Sequence, residues 1–311
     1  MKPEIIVIAG PTASGKTSLS IELAKKVGGE IISGDSMQIY KDMNIGTAKV
    51  TKEEMQGINH YLIDFLSPEK RYTVSNFKKD AEKAIEKILE NGNIPIICGG
   101  TGLYIDSLIY EIEYQDMDFD KDYRDFLMEK SKTEEGLSLL YEEALRIDEK
   151  ATLKISKNDK KRILRIIEIY HSTGKTKTEL EILSRQKEKK YDFKVFALNM
   201  DRQLLYDRIN NRVDLMLEKG LIEEVAYITK KYNELSTSGQ GLGYKEIIEY
   251  LDNKITYGEM VEKIKKESRH YAKRQLTWFR KNKDIIWLNA ENGIEKNIEI
   301  ISSYINNVRK N

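Results

Sequence analysis

The chain has 311 residues, of which 40% are hydrophobic and 33% charged, and its formal net charge is +1. Such a composition excludes a disordered chain, and the length suffices for one large core with an insertion or for two domains. No apolar run approaches the ~20 residues of a membrane span, and the single cysteine, Cys98, excludes an intrachain disulfide framework or a cysteine-rich zinc site and suits a reducing cytoplasm.

The N-terminus runs straight into an apolar segment, so no signal peptide is expected. Glu4–Ala9 has the continuous apolar character of a buried parallel strand. Gly10 to Thr17 then reads G-P-T-A-S-G-K-T, a complete phosphate-binding loop placed between that strand and a helical pattern of Leu19, Leu23 and Val27. Further strands are predicted at Glu30–Ser33, His60–Asp64, Ile94–Cys98, Lys194–Asn199 and Ile285–Leu288. A helix from Phe77 to Leu89, with Ser75 as its N-cap, is closed by Asn91-Gly92. Strands alternating with helices predict an α/β chain with a P-loop NTPase-like parallel-sheet core. Residues 116–190 lack strand signal and predict a helical insertion, which divides the core into 1–115 and 191–311. The acids Glu111, Glu113, Asp116, Asp118, Asp120 and Asp122 read as a solvated link into that insertion. A second helical block from Arg202 to about Lys281 makes the C-terminal part helical.

The loop sets the chemistry. Its glycines let backbone N–H groups converge on one anion, and the helix that follows adds partial positive charge. That assigns Gly10, Pro11, Thr12, Ala13, Ser14, Gly15, Lys16 and Thr17 to phosphate binding. Lys16 supplies a full charge, and Thr17 supplies a hydroxyl suited to Mg²⁺. The usual partner of such a loop is an apolar strand ending in Asp. Ile94–Cys98 ends without an acid, whereas His60–Asp64 ends in one, so a nucleotide-hydrolysing site is weakly supported.

Asp35 follows the second strand in "SGDSMQIY" and should face the crevice beyond the strand ends. It would serve there as a proton acceptor, or it would cap a short helix at Ser36–Tyr40. Thr101, in "CGGTGLY", would donate to a ligand or only shape a tight turn. Arg208 and Arg212, four apart on a helix that Asp201 can cap, suit a pyrophosphate clamp or surface pairing. In the insertion, Ile163, Ile166, Ile167 and Tyr170 form a buried stripe, with Lys161, Arg162 and Arg165 on other faces. Glu262–Lys281 carries eight basic residues against two acids, a local balance of +6. Its rows Lys265-Arg269-Lys273 and Lys266-His270-Arg274 have the form of a phosphate-backbone footprint.

Taken in order, GPTASGKT, DSMQIY, Gly46-Thr47-Ala48-Lys49, His60–Asp64 (HYLID), Gly99–Tyr104 (GGTGLY), Asn158–Arg165, Gly243-Tyr244 and Arg274–Arg280 (RQLTWFR) span residues 10 to 280. This set resembles the tRNA dimethylallyltransferase family, and the absence of a C-terminal zinc finger resembles its bacterial members. Two departures are mild: a tyrosine at 61 where a second histidine is common, and no proline at the Asp159 segment. The resemblance implies transfer of a dimethylallyl group from dimethylallyl diphosphate to N6 of an adenosine beside the anticodon, with Mg²⁺ as cofactor. It makes Asp35 the catalytic carboxylate, with Lys16, Thr17, Arg208 and Arg212 acting on the diphosphate. It implies contacts with the tRNA anticodon stem-loop from Asp35, Ser36, Met37, Gln38, Thr101, Arg124, Asp159, Lys160, Lys161, Arg162 and Ile163. Lys265, Arg269, Lys273 and Arg274 are candidates for the same partner. A monomer in the cytoplasm is expected. A small-molecule kinase would share the core and leave the basic helix unexplained. A non-catalytic RNA-binding module would leave the loop, Lys16 and Asp35 idle.

Overall fold

A computed structural model describes residues 2–112, 120–185 and 188–305. Six strands form one sheet: β1 (Glu4–Ala9), β2 (Gly29–Ser33), β3 (His60–Tyr61), β4 (Ile94–Gly99), β5 (Asp192–Asn199) and β6 (Ile286–Asn289). Their order is β3-β2-β4-β1-β5-β6, and every neighbouring pair is parallel. Parallel strands covered on both faces need apolar residues at every position, and Ile5 to Ala9 are all 0% exposed. At the carboxyl end of β1, Ala9 pairs with Gly99 and Ala197, so small residues border the turn that follows. β1 lies between β4 and β5, and the crevice beyond these strand ends is where an open α/β sheet binds its ligand.

Helices α1 (Lys16–Val27), α2 (Lys52–Met55), α3 (Val74–Glu90) and α4 (Gly102–Ile109) are interleaved with the first four strands. Then come α5 (Lys121–Lys130), α6 (Glu134–Ile147), α7 (Glu149–Thr152), α8 (Lys160–Thr173) and α9 (Lys177–Arg185). After β5 the chain forms α10 (Arg202–Glu218), α11 (Leu221–Lys231), α12 (Tyr244–Leu251) and α13 (Tyr257–Phe279), and α14 (Ile294–Tyr304) follows β6. The chain divides into two compact units, Met1–Asp106 with Lys190–Asn311, and Ser107–Lys189. In the first, Leu19, Leu23 and Val27 of α1 pack with Ile6, Ile8 and Ile96 of the sheet and Ile298 and Ile301 of α14. In the second, Leu127, Leu140, Ala144, Ile163 and Ile167 form the core.

Several local expectations are revised. β3 stops after two residues, because Leu62 and Asp64 take φ of 59° and 56°, which no strand continues. Thr73, rather than Ser75, caps α3, since its hydroxyl accepts the Asn76 N–H in a capping box. No helix forms at Ser36–Tyr40, which is a series of turns. The buried face of α8 takes in Leu164 and Ile169, and Tyr170, in the last turn, is 44% exposed. Asp120 caps α5 by accepting the Tyr123 N–H at 3.0 Å, while Glu113, Asp116 and Asp118 lie outside the described residues.

Candidate active site

β1 ends at Ala9 and α1 begins at Lys16, and the chain reverses between them. Gly15 takes φ 89°, a left-handed conformation that glycine adopts at little cost. Ser14 Oγ donates to the Pro11 carbonyl at 2.8 Å, and Lys16 Nζ donates to the same oxygen at 2.6 Å. The Thr12 N–H donates to Oε1 of Gln275 at 2.9 Å. The first turn of α1 carries no acid, so its N-terminal partial charge stays available to an anion.

Thr12, Lys16 and Thr17 line a cavity of about 350 Å³, and Asp35 lines it with them. Asp35 Oδ1 accepts the Met37 N–H at 2.8 Å. The other oxygen has no hydrogen-bond partner among the described residues, so Asp35 both shapes its turn and offers a carboxylate to the cavity. Ser36, Met37 and Gln38 share the lining. The Gln38 amide is engaged within the fold: Nε2 donates to the Thr47 and Ala48 carbonyls at 3.3 Å each, and Oε1 accepts Ser33 Oγ at 3.1 Å. Thr101 is not among the lining residues. Its Oγ1 accepts the Ser36 N–H at 3.1 Å and so braces the turn beside Asp35.

Another wall is Gly46-Thr47-Ala48. Glu224 of α11 holds it by accepting the N–H groups of Asn44, Ile45 and Gly46 at 2.8, 2.7 and 3.1 Å. The Tyr244 hydroxyl donates to the same carboxylate at 2.6 Å. The motifs Gly46–Lys49 and Gly243-Tyr244, far apart in sequence, thus meet on one acid.

The structure separates the two arginines of α10. Arg212 lines the cavity, whereas Arg208 is exposed and outside it. Burial lowers the Arg212 guanidinium from its ordinary value, and the Asp35 charge opposes that shift. Burial pushes the Lys16 ammonium down to about 8, with Arg212 acting in the same sense and Asp35 against it. One carboxylate and two desolvated cations therefore share the cavity. Ile209, Val213 and Met216 of α10 with Leu221, Leu242 and Ile264 give it an apolar side.

α13 supplies Tyr271, Arg274 and Gln275 to the lining. Burial raises the Tyr271 phenol, which stays protonated near the Asp35 charge. Tyr271 and Gln275 are functional candidates that the basic pattern of this helix concealed; their four-residue spacing beside Arg274 was the available signal. Lys265 and Arg269 turn toward α10 instead: Lys265 pairs with Asp214 at 2.7 Å, and Arg269 donates to Asn210 at 2.6 Å. Lys273 is exposed and outside the cavity. Lys266, His270 and Arg274 are exposed and form the outward row, which reaches the cavity at Arg274. Asp64, the strand-end acid, is paired with the buried Lys49 at 2.6 Å and is not among the lining residues.

In the unit Ser107–Lys189, Arg124 lies 3.6 Å from Glu168. Asp159 caps α8 through the Arg162 N–H at 3.2 Å, and Lys160, Lys161 and Arg162 stand exposed in its first turn. Ile163 is 0% exposed and packs in the core of that unit, so its side chain is a structural one and not an RNA contact.

Residues 38–282 match the family model described as IPP transferase. A tRNA dimethylallyltransferase of Acetivibrio thermocellus is 48% identical over 304 residues, covering 97% of this chain and 97% of the relative. A tRNA delta(2)-isopentenylpyrophosphate transferase of Staphylococcus epidermidis, of known crystal structure, is 44% identical with a TM-score of 0.72, covering 98% of this chain and 99% of that one. A eukaryotic dimethylallyltransferase acting on tRNA, also of known structure, is 29% identical with a TM-score of 0.79, covering 99% of this chain and 81% of that one. With a model match over most of its length and relatives close to half identical end to end, the chain belongs to the IPP transferase family and is a transferase of the tRNA dimethylallyltransferase group.

Proposed function

We propose that this transferase modifies tRNA by moving a dimethylallyl group from dimethylallyl diphosphate to N6 of an adenosine adjacent to the anticodon, releasing diphosphate. The observation that carries this is the cavity itself, where Asp35 faces Lys16 and Arg212 beside an apolar side wall. The loop N–H groups, Lys16 and Arg212 hold the diphosphate, and the apolar side receives the five-carbon group. The adenine leaves its loop stack to enter, as bases that undergo chemistry do. The exocyclic nitrogen forms its bond to C1 of the prenyl group as the C1–O bond to diphosphate breaks. Asp35 accepts the N–H hydrogen bond and takes the proton. Charge gathering on the leaving diphosphate meets cations and amide dipoles already in place.

Mg²⁺ fits the donor set: the Thr17 hydroxyl is a hard oxygen ligand on the cavity. Among the described residues no three His, Cys, Asp or Glu side chains form a metal-binding group. The remaining positions would fall to diphosphate oxygens and water, as is usual for this ion. When bound, Mg²⁺ would neutralise diphosphate charge. We assign tRNA contacts to the exposed cations of the first turn of α8 in one unit and, separately, to the outward row of α13 in the other. Among the described residues no helix is long and apolar enough to cross a membrane, and we take the working form to be a cytoplasmic monomer. Incubation with unmodified tRNA, dimethylallyl diphosphate and Mg²⁺, followed by mass analysis of the nucleosides, tests the proposal. The expected product is an adenosine heavier by one C5H8 unit, and its absence with intact tRNA binding overturns the reaction assigned.

A further inference from the structure

The RQLTWFR motif contains a glutamine that the reaction as described does not use. Gln275 is 6% exposed, and both ends of its carboxamide are committed. Oε1 accepts the Thr12 N–H of the phosphate loop at 2.9 Å, and Nε2 donates to the Gly100 carbonyl at 2.9 Å. The partners are 263 and 175 residues away in sequence. The fit is close: a Cβ on Gly100 would lie 2.1 Å from Nε2, so any larger residue there displaces the carboxamide. The preceding residue, Arg274, and Tyr271, one turn earlier, line the same cavity as Lys16 and Asp35.

We infer that Gln275 is a positioning residue that holds the phosphate loop in its anion-binding form and sets its register against α13. Loop N–H groups bind an anion only while they converge on it. Thr12 stands at the entry to the reversal, and its N–H donates to the glutamine. A part-buried donor left without a partner is costly, so this single bond fixes the peptide plane between Pro11 and Thr12. The opposite end of the amide fixes the turn after β4. One side chain thereby joins the loop, the Gly99-Gly100 turn and the helix that carries Arg274. This role rests on the diphosphate assignment of the loop.

The test uses inorganic diphosphate with Mg²⁺ as probe, so it does not depend on prenyl transfer. Gln275→Met keeps the volume and removes both hydrogen bonds. It should weaken diphosphate binding at least tenfold and raise KM for dimethylallyl diphosphate in parallel, with kcat reduced less and tRNA affinity within threefold. Gly100→Ala should reproduce the diphosphate defect in the parent, because its methyl group expels the carboxamide. In a Gln275→Ala background the same Gly100→Ala change should add less than threefold. Unchanged diphosphate affinity in Gln275→Met overturns the inference. Equal losses from Gly100→Ala in both backgrounds, or a parallel fall in tRNA affinity, kcat and melting temperature, do so as well. Normal diphosphate binding by the parent without tRNA prenylation would instead count against the proposed reaction and leave the role of Gln275 standing or falling on these measurements.

Discussion

Lys16 donates its ammonium to the carbonyl of Pro11, five residues back in the same loop, at 2.6 Å. The loop's own backbone thus orients the lysine that carries its full positive charge. Burial already lowers the lysine to about 8, so part of its charge is lost in mildly alkaline solution. The anion prefers the protonated form. Above pH 8, binding must therefore take up a proton, and affinity falls by up to about tenfold per pH unit while the free form is neutral. Calorimetry in two buffers of different ionisation enthalpy should record the uptake at pH 9 and little at pH 6.5. Lys16→Ala should weaken diphosphate binding by about 10- to 100-fold and abolish the proton uptake. Uptake that persists in that variant would assign it to another group.

Asp35→Asn keeps an oxygen for the Met37 N–H and removes the basic carboxylate. Turnover should fall about 10²–10⁴-fold, the range of a lost general base, with tRNA affinity and melting temperature nearly unchanged. Single-turnover rates close to the parent's would remove Asp35 from the proton transfer.

Arg212→Ala should weaken diphosphate binding by about 10- to 100-fold, as expected for a lost charged hydrogen bond. Arg208→Ala should change it less than twofold, because that side chain is exposed and off the cavity. Equal effects of the two would mean that α10 reorients on binding.

On α13 the outward row should carry the salt dependence of tRNA binding. Neutralising Lys266 and Arg274 together should flatten the plot of log affinity against log salt by roughly 1.4 units if both meet phosphate, at about 0.7 per contact. Lys265→Ala and Arg269→Ala should leave that slope alone and lower the melting temperature, since their partners are Asp214 and Asn210. A flatter slope from the Lys265 and Arg269 variants would mean that those pairs open to receive RNA.

Ile163→Ala should cost about 2–5 kcal/mol through the cavity it leaves, whereas neutralising Lys160, Lys161 and Arg162 should cost little stability and weaken tRNA binding. Urea titration and filter binding on the two variants separate packing from contact within one turn of α8.

The loop, the strands and the helix spacing of α1 and α3 were legible because each is written in neighbouring residues: an apolar run, a glycine pattern, a repeat of three and four. The end of β3 was not, since it depends on two positive φ values in ordinary residues, Leu62 and Asp64. The two arginines of α10 are about 40° apart on the helix. At the rim of a cavity that angle decides which one enters, and it is set by how α10 packs. On α13, a count of charges cannot see that Asp214 and Asn210 lie across from Lys265 and Arg269. Gln275 was hidden among cations, and its partners are remote in the chain.

Glu224 gathers three consecutive amides and one phenol on a single carboxylate. Hydrogen exchange at Asn44, Ile45 and Gly46 therefore has one gate. When the carboxylate withdraws, all three amides are released at once, and while it stays none exchanges freely, although the segment is neither helix nor strand. A stretch of irregular backbone thus acquires the correlated slow exchange of regular structure, and its opening reports on an acid almost 180 residues further along the chain.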